Sequence, residues 1–186
     1  ACLEALRPRW TELRAQAAAR NARGGARRHG VGVAGMWYGI GNTGMSNPSE
    51  MRLVLEGGVL TFLNGAVDIG QGSSTVLAQV VAEALGLPVA ALREVNGDTA
   101  RTPDAGKTSA SRQTFVSGRA ALEAALDLRR QVNGALGWDG ARVTVNGAPW
   151  QGPALHGQGR FDPPTVPLDG AGQGVPYATY GFAAQL

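Results

Sequence analysis

Apolar residues recur at three- and four-residue spacing through residues 2–19, at Leu3, Leu6, Trp10, Leu13 and Ala17. That period predicts an amphipathic helix, with Pro8 inside its early turns. A polar linker over 20–29 (RNARGGARRH) follows, and then an apolar run over 30–38 (GVGVAGMWY) that predicts a strand. Residues 39–50 carry glycines, Asn47 and Pro48, and suit a loop. Alternation over 51–56, the pair Gly57-Gly58 and the apolar run 59–63 predict a β-hairpin. A glycine-rich loop over 65–72 then leads to a helix over 74–85, with Ser73 or Ser74 as its cap and Gly86 as its stop. Val76, Leu77, Val80, Val81 and Leu85 form its expected inner face. A short strand over 92–95, a loop over 96–109 and a long helix over 113–131 come next, the helix burying Leu122 and Leu126 together with Val132 just beyond it. Residues 142–146 (RVTVN) alternate as a strand. The Pro/Gly-rich stretch 150–174 suits a surface loop, and 177–185 the start of another strand. This order predicts an α+β fold, α/β in two layers, with a small mixed β-sheet and two main helices. It divides the chain into an N-terminal helix and Arg-rich linker (1–29), an α+β domain (30–149) and a Pro/Gly-rich loop with the start of a truncated strand (150–186).

Composition removes several chemistries. With 186 residues, 44% of them apolar, the chain has the length of one domain with a loose arm. No apolar run reaches the roughly 18–20 residues needed to cross a bilayer. The charged N-terminus lacks the apolar segment of a secretory signal, so a cytoplasmic location and no membrane span are expected. One cysteine, Cys2, excludes a disulfide framework and any Cys-based zinc or iron–sulfur cluster. His29 and His156 are too few for a multi-histidine metal site, so any metal must be held by ligands that a cofactor supplies. Seven arginines against two glutamates give the first 28 residues +5, within a formal +3 for the whole chain. Nucleic acid is nevertheless not an expected partner: Lys107 is the only lysine, and no RNA-binding aromatic motif accompanies the arginines.

Two familiar motifs fail on inspection. Gly39, Gly41 and Gly44 spell G-x-G-x-x-G, but Pro48 and a strand follow where a dinucleotide fold needs a helix. The loop 65–72 (GAVDIGQG) has phosphate-loop spacing with Gln71 in place of the lysine, and Lys107-Thr108 lacks the first glycine, which argues against a nucleotide-hydrolysing domain. Too few histidines remain for a Ser–His–Asp or Cys–His nucleophile. Two loop-to-helix segments stay unusual. Residues 65–75 put successive glycines before a helix N-terminus, which suits an anion. Residues 99–118 crowd Thr108, Ser109, Ser111, Arg112 and Gln113 together, small donors around one fork-shaped cation suited to phosphate. Together they could close on a phosphorylated ligand; equally, both fit ordinary capping turns.

Residues 67–85 (VDIGQGSSTVLAQVVAEAL), Gly97-Asp98-Thr99, Thr102-Pro103 and 108–118 (TSASRQTFVSG) resemble, in order and spacing, the molybdenum hydroxylases of the xanthine dehydrogenase and aldehyde oxidase family. The resemblance covers most of residues 30–130 and lies in the cofactor-binding part of the large subunit. It implies a molybdenum-cofactor-binding-domain-like fold and a molybdopterin, extended as a cytosine dinucleotide, whose metal needs no protein ligand. Gln71 matches the glutamine that hydrogen-bonds the apical oxo ligand of molybdenum and is the implied catalytic residue; Gly70 and Gly72 match the glycines beside it. Ser73, Ser74 and Thr75 would face the pterin or its phosphates, while Ser109, Ala110, Ser111, Arg112 and Gln113 match the second cofactor segment, with Arg112 as the phosphate or nucleotide contact.

The implied reaction is hydroxylation of aldehydes or N-heterocycles with water as oxygen source. Iron–sulfur clusters, and FAD in some members, would sit on partner domains or subunits. The family's general base is a glutamate in a Gly-Val-Gly-Glu-like segment that this sequence lacks; Glu50, Glu83, Glu94 and Glu123 do not match its context. The expected partners are therefore the remainder of the large subunit, an iron–sulfur subunit and a small-molecule substrate, and the isolated chain is expected to be silent. The alternative is a non-catalytic cofactor-binding or subunit-assembly module.

Overall fold

The structure, a computed structural model, describes residues 2–35 and 44–166. These fall into two compact units, one containing residues 2–35 and the other residues 44–166. In the first, helix α1 (Cys2–Ala22) forms over the predicted stretch. Leu6, Trp10, Leu13 and Ala17 are its half-buried positions, whereas Leu3 stays 64% exposed. In its last turn, the Asn21 side chain donates to the His29 carbonyl and accepts from the His29 N–H, both at 2.8 Å, folding the linker back on the helix. Residues 30–35 are irregular and not the expected strand; residues 36–38 lie outside the described residues.

The second unit is two-layered. Strands β1 (Ser49–Glu56) and β2 (Val59–Asn64) form the predicted hairpin, and β3 (Leu92–Asn96) adds to β2 in parallel. Helices α2 (Ser73–Leu85) and α3 (Gly118–Gln131) cover one face. A three-stranded sheet made of β4 (Leu136–Trp138), β5 (Val143–Val145) and β6 (Ala148–Pro149) follows; β5 was expected, while the other two strands were not. The main sheet runs β3-β2-β1-β7, completed by β7 (Leu155–Phe161). Alternation delivers Met51, Leu53, Leu55, Leu60 and Phe62 to the core, each no more than 2% exposed. There they meet Leu77, Val81, Leu85 and Leu128.

Strand β7 corrects the expected loop over 150–174. It pairs antiparallel with β1 from Ser49↔Phe161 to Leu55↔Leu155. Its inward face runs Leu155, Gly157, Gly159, Phe161, and the two central glycines interrupt the apolar period-two signal. The glycines are there because α3 lies on the strand backbone. A Cβ on Gly159 would sit 2.0 Å from the Ala120 carbonyl oxygen, and one on Gly157 2.3 Å from that of Ala124. The same approach corrects the face of α3. Its buried residues are Ala120, Ala121, Ala124, Ala125 and Leu128, small enough to fit, while Leu122 is half-buried and Leu126 is 38% exposed. Val132 is buried as expected. On α2, likewise, Ala78 and Ala82 are buried and Val76 and Val80 only half-buried. The strand expected over 177–185 lies outside the described residues. Gly159→Ala is expected to destabilise the protein by about 3 kcal/mol through overpacking, read as a lower denaturation midpoint in urea; an unchanged midpoint would refute this account of the α3–β7 contact.

Candidate functional site

The β2–α2–β3 crossover decides where the two unusual loops go. Because β2 and β3 are parallel, with Asn64 paired to Asn96, the segments that follow them leave from the same sheet end. Ligand crevices of α/β sheets open at the carboxyl ends of strands. The Gly97 N–H donates to the Asn64 carbonyl at 2.9 Å, tying the two exits together. Farther out, the Thr108 hydroxyl donates to the Val67 carbonyl at 2.6 Å, so the second segment touches the first directly.

The glycine-rich loop is organised from within by Asp68. Its carboxylate accepts from the N–H groups of Gly70 at 2.8 Å, Gly72 at 3.2 Å and Ser74 at 3.1 Å. Hydrogen bonds from the Gly70 N–H first, then from Ser74, hold its pKa below the usual carboxylate value. The anion at the N-terminus of α2 is therefore a side chain of the protein itself. This bears on two expectations: neither Ser73 nor Ser74 caps the helix with its hydroxyl, and the Gly70, Gly72 and Ser74 amides of the expected anion seat are already paired. Asp68 was missed as a functional residue, although an Asp followed by glycines at the second and fourth positions is a recognisable side-chain turn.

Gln71 is exposed, but its carboxamide is held. Its Oε1 accepts from the Ile69 N–H at 2.8 Å, and its Nε2 donates to the Ser73 hydroxyl at 2.9 Å. A carboxamide nitrogen carries two N–H groups, so one is left for a ligand. Gly70 (φ 105°) and Gly72 (φ 81°) adopt backbone conformations that side chains rarely tolerate, and a Cβ on either would meet open space. Ser73 is buried, Ser74 half-buried and Thr75 exposed. At the loop's base, the fully buried Asn64 keeps its Nδ2 without a partner among the described residues.

The second segment places its residues differently from expectation. Ser109 and Ser111 are exposed and Ala110 half-buried. Ala110 (φ 54°) and Ser111 (φ 55°) are consecutive left-handed residues with side chains, each costing about 1–2 kcal/mol. Arg112 holds them. It is fully buried, and its Nη1 donates to the carbonyls of Ala105 (2.5 Å) and Lys107 (3.2 Å), its Nη2 to those of Asn47 (3.0 Å) and Pro48 (2.6 Å). The guanidinium also lies against Gly106, where a Cβ would come within 2.8 Å of Nη1. Four carbonyls thus take the donors that a phosphate would need, and Arg112 is a structural clamp instead of the expected phosphate contact. Gln113 is also buried, its Nε2 donating to Thr108 at 2.8 Å and its Oε1 accepting from Ser117. It too lies behind the site.

At the surface of the two segments stand the Gln71 amide, the Ser74, Thr75 and Ser109 hydroxyls and glycines open to close approach, with the exposed cations Arg101 and Lys107 in the second segment. The neutral donors suit the polar ring edges and oxo groups of a pterin-type cofactor. Among the described residues no group of three or more His, Cys, Asp or Glu could hold a metal ion. No helix among them is long and apolar enough to cross a membrane.

Two outcomes are expected. A carboxylate whose pKa is lowered on folding stabilises the fold above its unfolded value of 3.8 and loses that contribution as pH falls through the lower folded value. The difference in Tm between wild type and Asp68→Asn, followed from pH 7 to pH 3, should therefore shrink on the acid side. A difference that is flat with pH argues against the Asp68 cap. Arg112→Met, which strands several carbonyls and two strained residues, should cost about 3 kcal/mol or more in denaturant titration.

The family described as "Molybdopterin cofactor-binding domain" matches residues 4–186. The xanthine dehydrogenase molybdenum-binding subunit of Escherichia coli O157:H7 is 38% identical over 137 residues, which are 70% of this chain and 18% of that subunit. The xanthine dehydrogenase of Drosophila subobscura is 31% identical over 126 residues, 67% of this chain and 9% of the relative. The chain thus spans less than a fifth of the length of these relatives. In fold it resembles the aldehyde oxidoreductase of Desulfovibrio desulfuricans, with a TM-score of 0.61 and 24% identity over 93% of this chain and 19% of that one. Its two-layer α+β architecture is that of this fold, and the chain belongs to the molybdopterin cofactor-binding domain family of the molybdenum hydroxylases.

Proposed function

We propose that the chain serves as the part of a molybdenum hydroxylase that presents Gln71 and the Ser109–Ala110–Ser111 turn to a molybdopterin, within a larger oxidoreductase acting on aldehydes or N-heterocycles. The observation that carries this is the Gln71 carboxamide, oriented by Ile69 and Ser73 in a glycine-rich loop that is tied to the second segment through Thr108. Bound molybdopterin would supply the two-electron redox chemistry and the activation of water. The chain's own residues bind and orient. Gln71 offers one N–H to the ligand, Gly70 and Gly72 let the backbone approach, and Ser74, Thr75 and Ser109 offer hydroxyls.

Because Asp68 fills the N-terminus of α2, this loop is suited to the neutral end of the cofactor, and phosphate is held elsewhere. Arg112 lends no support to a nucleotide extension; a cytosine dinucleotide form is carried by the resemblance, and release of CMP on mild acid hydrolysis of the purified protein tests it. The sequence contains no glutamate in the family's general-base context, so the base and the substrate pocket are assigned to the rest of the large subunit, and electron transfer to an iron–sulfur partner.

Elemental mass spectrometry of the protein purified with its natural partners should find about one molybdenum per chain. A metal-free complex favours the non-catalytic assembly module. In the molybdenum-loaded enzyme, Gln71→Ala should lower kcat about a hundredfold, the scale of removing one preorganised donor from a reacting centre, with Tm unchanged. Unaltered turnover would sink the role given to Gln71.

A further inference from the structure

We propose that Thr108 and Gln113 are positioning residues for the glycine-rich loop, acting through a one-way chain of hydrogen bonds that begins on β1 and ends on the Val67 carbonyl. The Ser49 hydroxyl donates to the Ser117 hydroxyl at 2.9 Å, and Ser117 donates to Gln113 Oε1. Gln113 Nε2 donates to the Thr108 hydroxyl at 2.8 Å, and Thr108 donates to the Val67 carbonyl at 2.6 Å. Ser49 and Ser117 are fully buried and Gln113 is 6% exposed.

The direction is forced by counting protons. A hydroxyl has one O–H, so Thr108, once it accepts from the carboxamide nitrogen, directs its only proton to Val67. The carboxamide is fixed in one sense, oxygen toward Ser117 and nitrogen toward Thr108. Chains in which every member both accepts and donates strengthen one another inside a protein. The segment Gln113–Ser117 is a single π-helical turn leading into α3, a rare geometry that is frequent at functional sites. Arg112, just before it, anchors the turn to two other loops.

The chain ends where it matters for the loop. Val67 precedes Asp68, whose carboxylate gathers Gly70, Gly72 and Ser74. Holding the Val67 carbonyl fixes the base from which that turn, and hence the Gln71 carboxamide, is built. Neither Thr108 nor Gln113 needs to touch a ligand to set where Gln71 points. The consequence for cofactor retention rests on the proposed function; the hydrogen-bond chain itself does not.

Hydrogen–deuterium exchange of the full-length protein tests this. In Thr108→Val, peptides spanning 67–76 should exchange about fivefold faster, the equilibrium effect of one lost hydrogen bond, with β1 and α3 unchanged. Thr108→Ser should restore protection. Gln113→Glu is the sharper probe. Its carboxylate accepts at both ends, so the Thr108 proton turns away from Val67, and the loop should loosen as in Thr108→Val although Thr108 is intact. Should Thr108→Val not fold, Gln113→Glu carries the test, since it leaves Thr108 in place and removes only the proton aimed at Val67. Native exchange in folded Thr108→Val or Gln113→Glu, or no rescue by serine, overturns the proposal. A second readout separates it from the functional reading. Faster loop exchange with a loss of bound molybdenum supports both, whereas faster exchange with undiminished molybdenum supports the chain of bonds and removes the loop from the cofactor site.

Discussion

A guanidinium taken out of water needs acceptors for its N–H groups, and both terminal nitrogens of Arg112 find main-chain carbonyls of two separate loops. Everything near the candidate site leans on that solution. Asn47 and Pro48, at the entrance to β1, are drawn against residues 105–107. Ala110 and Ser111 are kept in left-handed conformations that neither residue would choose alone. The π-turn starts at the next residue, and α3 follows from it. Removing the charge would leave carbonyls without donors and release stored strain together, so the clamp and the shape of the second segment stand or fall as one.

Asp68 applies the same logic on a smaller scale. A helix N-terminus preceded by glycines collects several amide donors that need an acceptor. Here a carboxylate from the loop supplies it, at the cost of no association entropy. Self-satisfaction makes the loop rigid before any ligand arrives, and it changes which ligands suit it. An anion would have to displace a covalently tethered rival, whereas a polar group that needs one N–H finds Gln71 already oriented. Preorganisation of this kind lowers the ordering cost that binding must otherwise meet.

Close approach of helix and strand makes the platform. With Gly157 and Gly159 facing Ala120 and Ala124, α3 settles onto the backbone of β7. From there the π-turn at its start reaches back toward β1, where Ser49 meets Ser117. A larger residue at either glycine would lift the helix and with it the Gln113 and Thr108 side chains that touch the glycine-rich loop.

Patterns with a local physical cause were legible in the chain itself: the β1–β2 hairpin from alternation around Gly57-Gly58, α2 from its period and its Gly86 stop, and the two-layer α+β class from the order of elements. The family was legible too, because the glycines around Gln71 and the segment from Thr108 to Gln113 form a specific combination. Other features were settled only by residues distant in sequence. β7 was hidden because glycine leaves no hydrophobic signature, and its place beside β1 depends on α3. The inner face of α3 fell to alanines over leucines because space, not hydrophobicity, was limiting there. Arg112 looked like a ligand contact because a guanidinium's partners cannot be read from its neighbours in the chain, and folding brought it carbonyls from Asn47 and Pro48. Residue type set what each group was able to do, and tertiary packing chose the partner, because burial makes an unpaired donor costlier than any local preference.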